Sequence, residues 1–163
     1  MGSDHDCIFN TPFWNRGKVI AKTFSATVLG IDAYLIEVEV DVSVGMSVFN
    51  IVGLPDSTIK ESRDRILSAV NNSGYSFPVR RVVVNLAPAP LRKIGSGFDL
   101  PIALTLLGTM GLFPPENLSR AMVVEELSLD GEIRPVRGIL PVAVATRECN
   151  CAPQLIQKYR AKI

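Results

Sequence analysis

Apolar and polar positions alternate along much of the first third of the chain. In IDAYLIEVEVDVS, Ile36, Val38, Val40 and Val42 stand between Glu37, Glu39 and Asp41. That period of two marks a strand with one wet face and suits an antiparallel sheet. The preceding stretch KVIAKTFSATVLG is also strand-like and ends in Gly30. After Gly45, SVFNIVGL predicts a third strand, closed by Gly53 and Pro55. The period then changes. STIKESRDRILSAVNNSG puts Ile59, Ile66, Leu67 and Val70 on one side of a helix, with Asp56 or Ser57 as its cap and Asn72 and Gly74 at its end. The β-branched run from Arg81 to Leu86 predicts a central, buried strand. FDLPIALTLLGTMG predicts a helix buried on most sides, with Asp99 as N-cap and Pro101 in the first turn.

AMVVEELSLDGEIRPV predicts two strands around an Asp130–Gly131 turn, and ILPVAVATREC a last helix. The order β-β-β-α-β-α-β-β-α predicts an α+β, two-layer domain over residues 18–148. Residues 1–17 carry no period and read as a flexible or added arm. Residues 149–163 read as a polar tail.

Composition narrows the function classes. The 163 residues are 47% apolar and 20% charged, enough for one domain with a sizeable core. The net charge of +1 gives no overall basic field, so a nucleic-acid site would have to be a local patch. No apolar run approaches the roughly 20 residues that cross a bilayer. The N-terminus lacks the basic and apolar regions of a signal peptide, so the expected location is cytoplasmic, away from membrane. Cys149 and Cys151 are one residue apart, Cys7 is distant and His5 is the single histidine, so no metal site is expected.

The candidate chemistry centres on LRKIGSGFDLPIAL. A glycine turn, Gly95–Ser96–Gly97, follows Arg92 and Lys93 and opens onto an apolar helix. Three readings compete. Ser96 with Lys93 could form a nucleophile and base, but a lysine on a wet turn keeps its ordinary pKa of about 10.4 and stays charged. Alternatively the turn is an anion nest at a helix start, with Arg80, Arg81, Arg92 and Lys93 adding contacts to phosphates; Asp99 beside it opposes an anion. The third reading makes Gly95, Ser96 and Gly97 turn residues alone, and it is the favoured one.

Elsewhere, Glu37, Glu39 and Asp41 read as a solvated strand face. Glu125 and Glu126 point to opposite sides if their segment is a strand, so they cannot act as a carboxylate pair. Arg134 and Arg137 suit either a basic edge or a subunit contact. Asp56, Lys60, Glu61, Arg63, Asp64 and Arg65 form a mixed-charge, solvated helix face. No residue is assigned a catalytic or metal-ligating role.

Five stretches in order, GIDAYLIEVEVDVS, FNIVGLPD, ESRDRILSAVNNSGYSFP, RRVVVNLAPAPLRKIGSGFDLPIALTLL and ELSLDGEIRPVRGILPVA, resemble the N-terminal domain of the magnesium-chelatase-like AAA+ proteins, the ComM or YifB group. The resemblance implies the ribosomal protein S5 domain 2-like fold, similar to the Lon protease catalytic domain, with a mixed sheet and helices packed on one face. It implies that the whole protein continues into an ATPase module that holds ATP and Mg2+. The implied partners are that module, sister subunits of a ring and DNA, and the implied role lies in hexameric DNA branch migration during competence. The alternatives it brings are a Lon-like ATP-dependent serine protease domain and a magnesium chelatase subunit.

This sequence departs from the pattern. No G-x-x-x-x-G-K-[ST] occurs, so no cofactor is expected in these residues. Glu125 stands where the family pattern has glycine. Matched to the Lon phrases, the nucleophile position falls on Gly97 and the lysine position on Leu140, so the implied domain is non-catalytic.

Overall fold

The computed structural model describes residues 20–148 and the backbone of residues 154–156. Strands β1 (Ala21–Leu29) and β2 (Asp32–Ser43) form a long antiparallel hairpin turned at Gly30, whose φ of 68° suits glycine. β3 (Val48–Val52) leads into helix α1 (Ser57–Asn72). β4 (Arg81–Ala87) precedes α2 (Asp99–Thr109). After a 3-10 turn at Pro115–Asn117 come β5 (Ala121–Val123), β6 (Glu126–Leu127), β7 (Ile133–Arg134), α3 (Ile139–Glu148) and β8 (Gln154–Ile156).

Six strands make one mixed sheet in the order β3-β4-β2-β1-β5-β8, and β6 and β7 pair separately. β2 pairs antiparallel with β1 and β4, while β3 runs parallel to β4 and β5 parallel to β1. This is the mixed α+β architecture read from the sequence, with α1 and α2 forming the main helical layer. The alternation in β2 does what its period demands: Ile36, Val38 and Val40 are fully buried, and Glu37, Glu39 and Asp41 face outward and are half-buried. The inward residues pack with Val82, Val84 and Leu86 of β4 against Ile59, Ile66 and Val70 of α1 and Ile102 and Leu106 of α2. α2 is buried on nearly all sides, Leu104 being its one half-buried residue.

Four details differ from the sequence reading. α1 and α2 share one face, but α3 lies on the other, where Val142 packs with Ala26, Leu35 and Val124. β4 sits centrally, yet only one face is fully buried, because Val83, Asn85 and Ala87 look toward the less covered side. The Ala121–Arg134 segment yields three short strands, with β5 joining the main sheet and β6–β7 forming the hairpin around Asp130–Gly131. The stretch read as a polar tail contributes β8, paired parallel with β5. The proposed arm at residues 1–17 lies outside the described residues. Among the described residues, no helix is long and apolar enough to cross a membrane.

Candidate functional site

The glycine turn is stitched to three parts of the fold. The Lys93 amide donates to the Leu54 carbonyl (3.2 Å), and the Asp56 amide donates to the Lys93 carbonyl (3.1 Å), which fixes the strap against the β3–α1 connection. The Ile94 amide donates to Thr27 Oγ1 on β1 (3.2 Å). Asp56 caps α1 as expected, one carboxylate oxygen accepting from the Ile59 amide at 2.9 Å, and its other oxygen accepts from the Gly95 amide at 3.1 Å. Gly95 takes a φ of 96°, which the turn requires and glycine permits. The Gly97 carbonyl accepts from the Glu125 amide (3.2 Å).

Beyond that point the amides of Ser96 and Gly97 make no hydrogen bond among the described residues. Both residues line a cleft of about 540 Å³, together with the apolar Val28 and Val136 and the charged Glu126 and Arg137. Two open amides and a guanidinium can take an anion; Glu126 limits how much negative charge fits, and Asp56 has already claimed the first amide of the nest.

The basic residues proposed for that anion do not converge. Arg81 and Ala87 are the two ends of β4, about 20 Å apart at roughly 3.3 Å per residue. Arg80 and Arg81 therefore stand at the far end of the strand from the glycine turn. Arg80 lines a second, smaller cleft of about 230 Å³ with Arg63 and Phe77. Arg92 is exposed. Lys93 is not on a wet turn at all: it is 0% exposed, and its Nζ donates to the Pro88 carbonyl. Burial pushes its pKa down from the ordinary lysine value. The main-chain bonds to Leu54 and Asp56 account for this inward turn. Lys93 has no hydrogen bond to Ser96 among the described residues. Arg137, which the sequence left undecided, is the cation that lines the cleft.

Asp99 is likewise corrected. Phe98 holds the N-cap position without a side-chain bond, and Asp99 lies inside the first turn, fully buried. Arg65 Nε and Nη2 donate to its two oxygens at 2.7 and 3.1 Å, and the Leu127 amide donates to it at 3.3 Å. Burial pushes the Asp99 carboxyl up, and the guanidinium pulls it only part of the way back. Arg65 is thus a core-facing cation rather than part of a solvated face. Its place three residues after the buried Ser62 is the signal that could have shown this.

The outer acids of β2 are engaged too. Lys22 Nζ lies 2.7 Å from both Glu37 and Glu39, and Asn85 Nδ2 donates to Glu39 at 2.7 Å. Among the described residues no group of three or more His, Cys, Asp or Glu could hold a metal ion. Glu125 turns inward, 2% exposed, with Oε1 lacking a partner, and burial lifts its carboxyl to about 7. Sequence reasoning separated it from Glu126 but gave it no role.

Residues 38–158 match the family model described as subunit ChlI of Mg-chelatase. The chain belongs to that family. It is similar to Competence protein ComM of Haemophilus influenzae, 40% identical over 129 residues, which are 79% of this chain and 25% of that protein. YifB of Escherichia coli is 44% identical over 115 residues, 71% of this chain and 23% of its own length. A protein of Mycobacterium tuberculosis described only as uncharacterized is 41% identical over 128 residues, 78% and 25% of the two chains. The chain spans about a quarter of the length of these relatives.

In this Mg-chelatase-like chain the glycine turn is not a nucleotide cradle of the P-loop kind. The chain has no P-loop sequence, its turn lysine is held on Pro88 rather than free to reach a phosphate, and the Gly95 amide is taken by Asp56. Peptidase chemistry fits no better. A Cβ on Gly97 would stand 3.0 Å from Val124 Cγ1, and Leu140 is 72% exposed on α3.

Proposed function

We propose that this chain is the non-catalytic N-terminal, Lon-like-fold domain of a ComM/YifB-type AAA+ ATPase, acting in the assembly of the ring or in coupling it to its substrate. The parent protein would be a hexameric DNA-remodelling ATPase of the cytoplasm. Its ATPase module would hold ATP and Mg2+, and the domain's partners would be that module and sister subunits. The observation that carries this reading is the match of about four-fifths of the chain to a quarter of a competence protein at 40% identity. The Gly97 and Leu140 positions favour it over a Lon-like protease.

A second reading concerns the cleft. The open Ser96 and Gly97 amides beside Arg137 favour contact with a nucleic-acid phosphate there rather than along β4. Titration of single-stranded and branched DNA across a salt series separates the two roles. If the cleft reads phosphate, log affinity falls linearly with log salt, and Arg137→Ala lowers the slope by about 0.7–0.9, the loss of one contact. No binding at low salt leaves a scaffold. On either reading the chain hydrolyses no ATP and cleaves no unfolded substrate; peptide cleavage abolished by Ser96→Ala would overturn the proposal.

A further inference from the structure

Glu125 joins β5 to β6 and reaches two ways through its main chain. Its amide donates to the Gly97 carbonyl at 3.2 Å, and its carbonyl accepts from the Leu100 amide at 3.1 Å. These two bonds clasp Glu125 to the end of the glycine turn and to the first turn of α2, beside Gly97 and Phe98, which line the cleft. The side chain of the same residue is buried, and Oε1 has no partner. Ser25 Oγ, on the strand next to β5, is also buried and unpartnered. A buried carboxylate without a cation or donor is strongly disfavoured, whereas the neutral acid is tolerated and brings a hydroxyl donor to a region that contains an unused oxygen.

The ionisable groups on the surrounding elements do not compensate it. Asp99 of α2 and Arg65 of α1 are bonded to each other. Lys93 of the turn is held on Pro88. Lys22 of β1 is paired with Glu37 and Glu39 of β2. Glu126 lines the cleft, and Arg134 of β7 stands opposite Glu126.

We infer that Glu125 is a pH-sensitive latch on the glycine-turn cleft: the neutral acid stays inside and keeps the clasp closed, and the ionised acid leaves the core and loosens its hold on Leu100 and on Gly97, which lines the cleft. The lift of its carboxyl to about 7 places the change near neutral pH. A carboxyl raised in the folded state contributes stability that is fully present below about pH 4.5 and is lost as pH rises through about 7.

The test is an NMR titration of the Glu125 side-chain carboxyl in the whole chain, together with amide exchange of Glu125 and Leu100 in the chain and in Glu125→Gln. A midpoint near 7 is expected. The two amides should exchange at least about ten-fold faster at pH 8 than at pH 6, after correction for the intrinsic pH dependence. In Glu125→Gln, which keeps the buried neutral shape, that extra acceleration should vanish. A midpoint between 4 and 5 overturns the inference, and so does equal acceleration in the chain and the variant. Should Glu125→Gln fail to fold, the carboxyl titration of the unaltered chain decides alone.

Discussion

The Arg65 guanidinium holds a carboxylate that has no contact with water, at 2.7 and 3.1 Å. A paired buried charge contributes little on balance, but stripping away one partner leaves the other exposed to the full cost of burial. Arg65→Ala should therefore lower stability by about 3–5 kcal/mol at pH 7 in urea denaturation. Burial already raises Asp99, and without Arg65 it would rise further. The loss should shrink in acid, where the carboxyl takes a proton. An equal loss at pH 7 and in acid would contradict the pairing.

Gly97→Ser makes a second residue-scale test, because the new Cβ meets Val124 at 3.0 Å and Val136 at 3.7 Å. Overpacking of this kind costs roughly 1–3 kcal/mol. The variant should melt lower and still show no peptidase activity. At this scale the sequence revealed Asp56, whose capping bond is three residues long. It hid Asp99, whose partner lies 34 residues away in sequence. An aspartate at a helix start has the same local signature whether it caps the helix or faces inward toward an arginine. Lys93 escaped for a similar reason: the bonds that turn it inward come from Leu54 and Asp56, on another part of the chain.

Elements were the more legible level, since the periods of β2 and α1 are printed in their own residues. Ala121–Val123 could not be separated from the following hairpin, because three apolar residues show no period and this strand is defined by Met122 pairing with Phe24. β8 is equally short, and only its pairing with β5 makes it a strand. The side of the sheet that α3 would take left no trace in its apolar count. One connection between elements is tightly specified. Gly53 has a φ of 102°, and a Cβ there would stand 2.1 Å from the Leu86 carbonyl oxygen. Gly53→Ala should cost at least about 2 kcal/mol through strain and clash together, and should move the denaturation midpoint to lower urea. A neutral outcome would mean that β3 packs on β4 less closely than described.

For the whole molecule, a net charge of +1 and a scattered set of arginines give no broad field for nucleic acid. What the fold does gather is a cleft with two open amides and Arg137. The glycine turn was legible in the sequence but the placing of the cations around it was not, because closeness along the chain put Arg80 and Arg81 near Arg92 while the length of β4 separates them. The central proposal is that this domain serves a ComM-type ring without chemistry of its own. The most direct measurement replaces the matching quarter of Haemophilus influenzae ComM with this chain and reads transformation efficiency in a strain lacking its own copy. The chimera should restore transformation well above the same protein with that quarter deleted. A chimera that folds and accumulates like the unaltered protein, yet transforms no better than the deletion, would contradict the proposal.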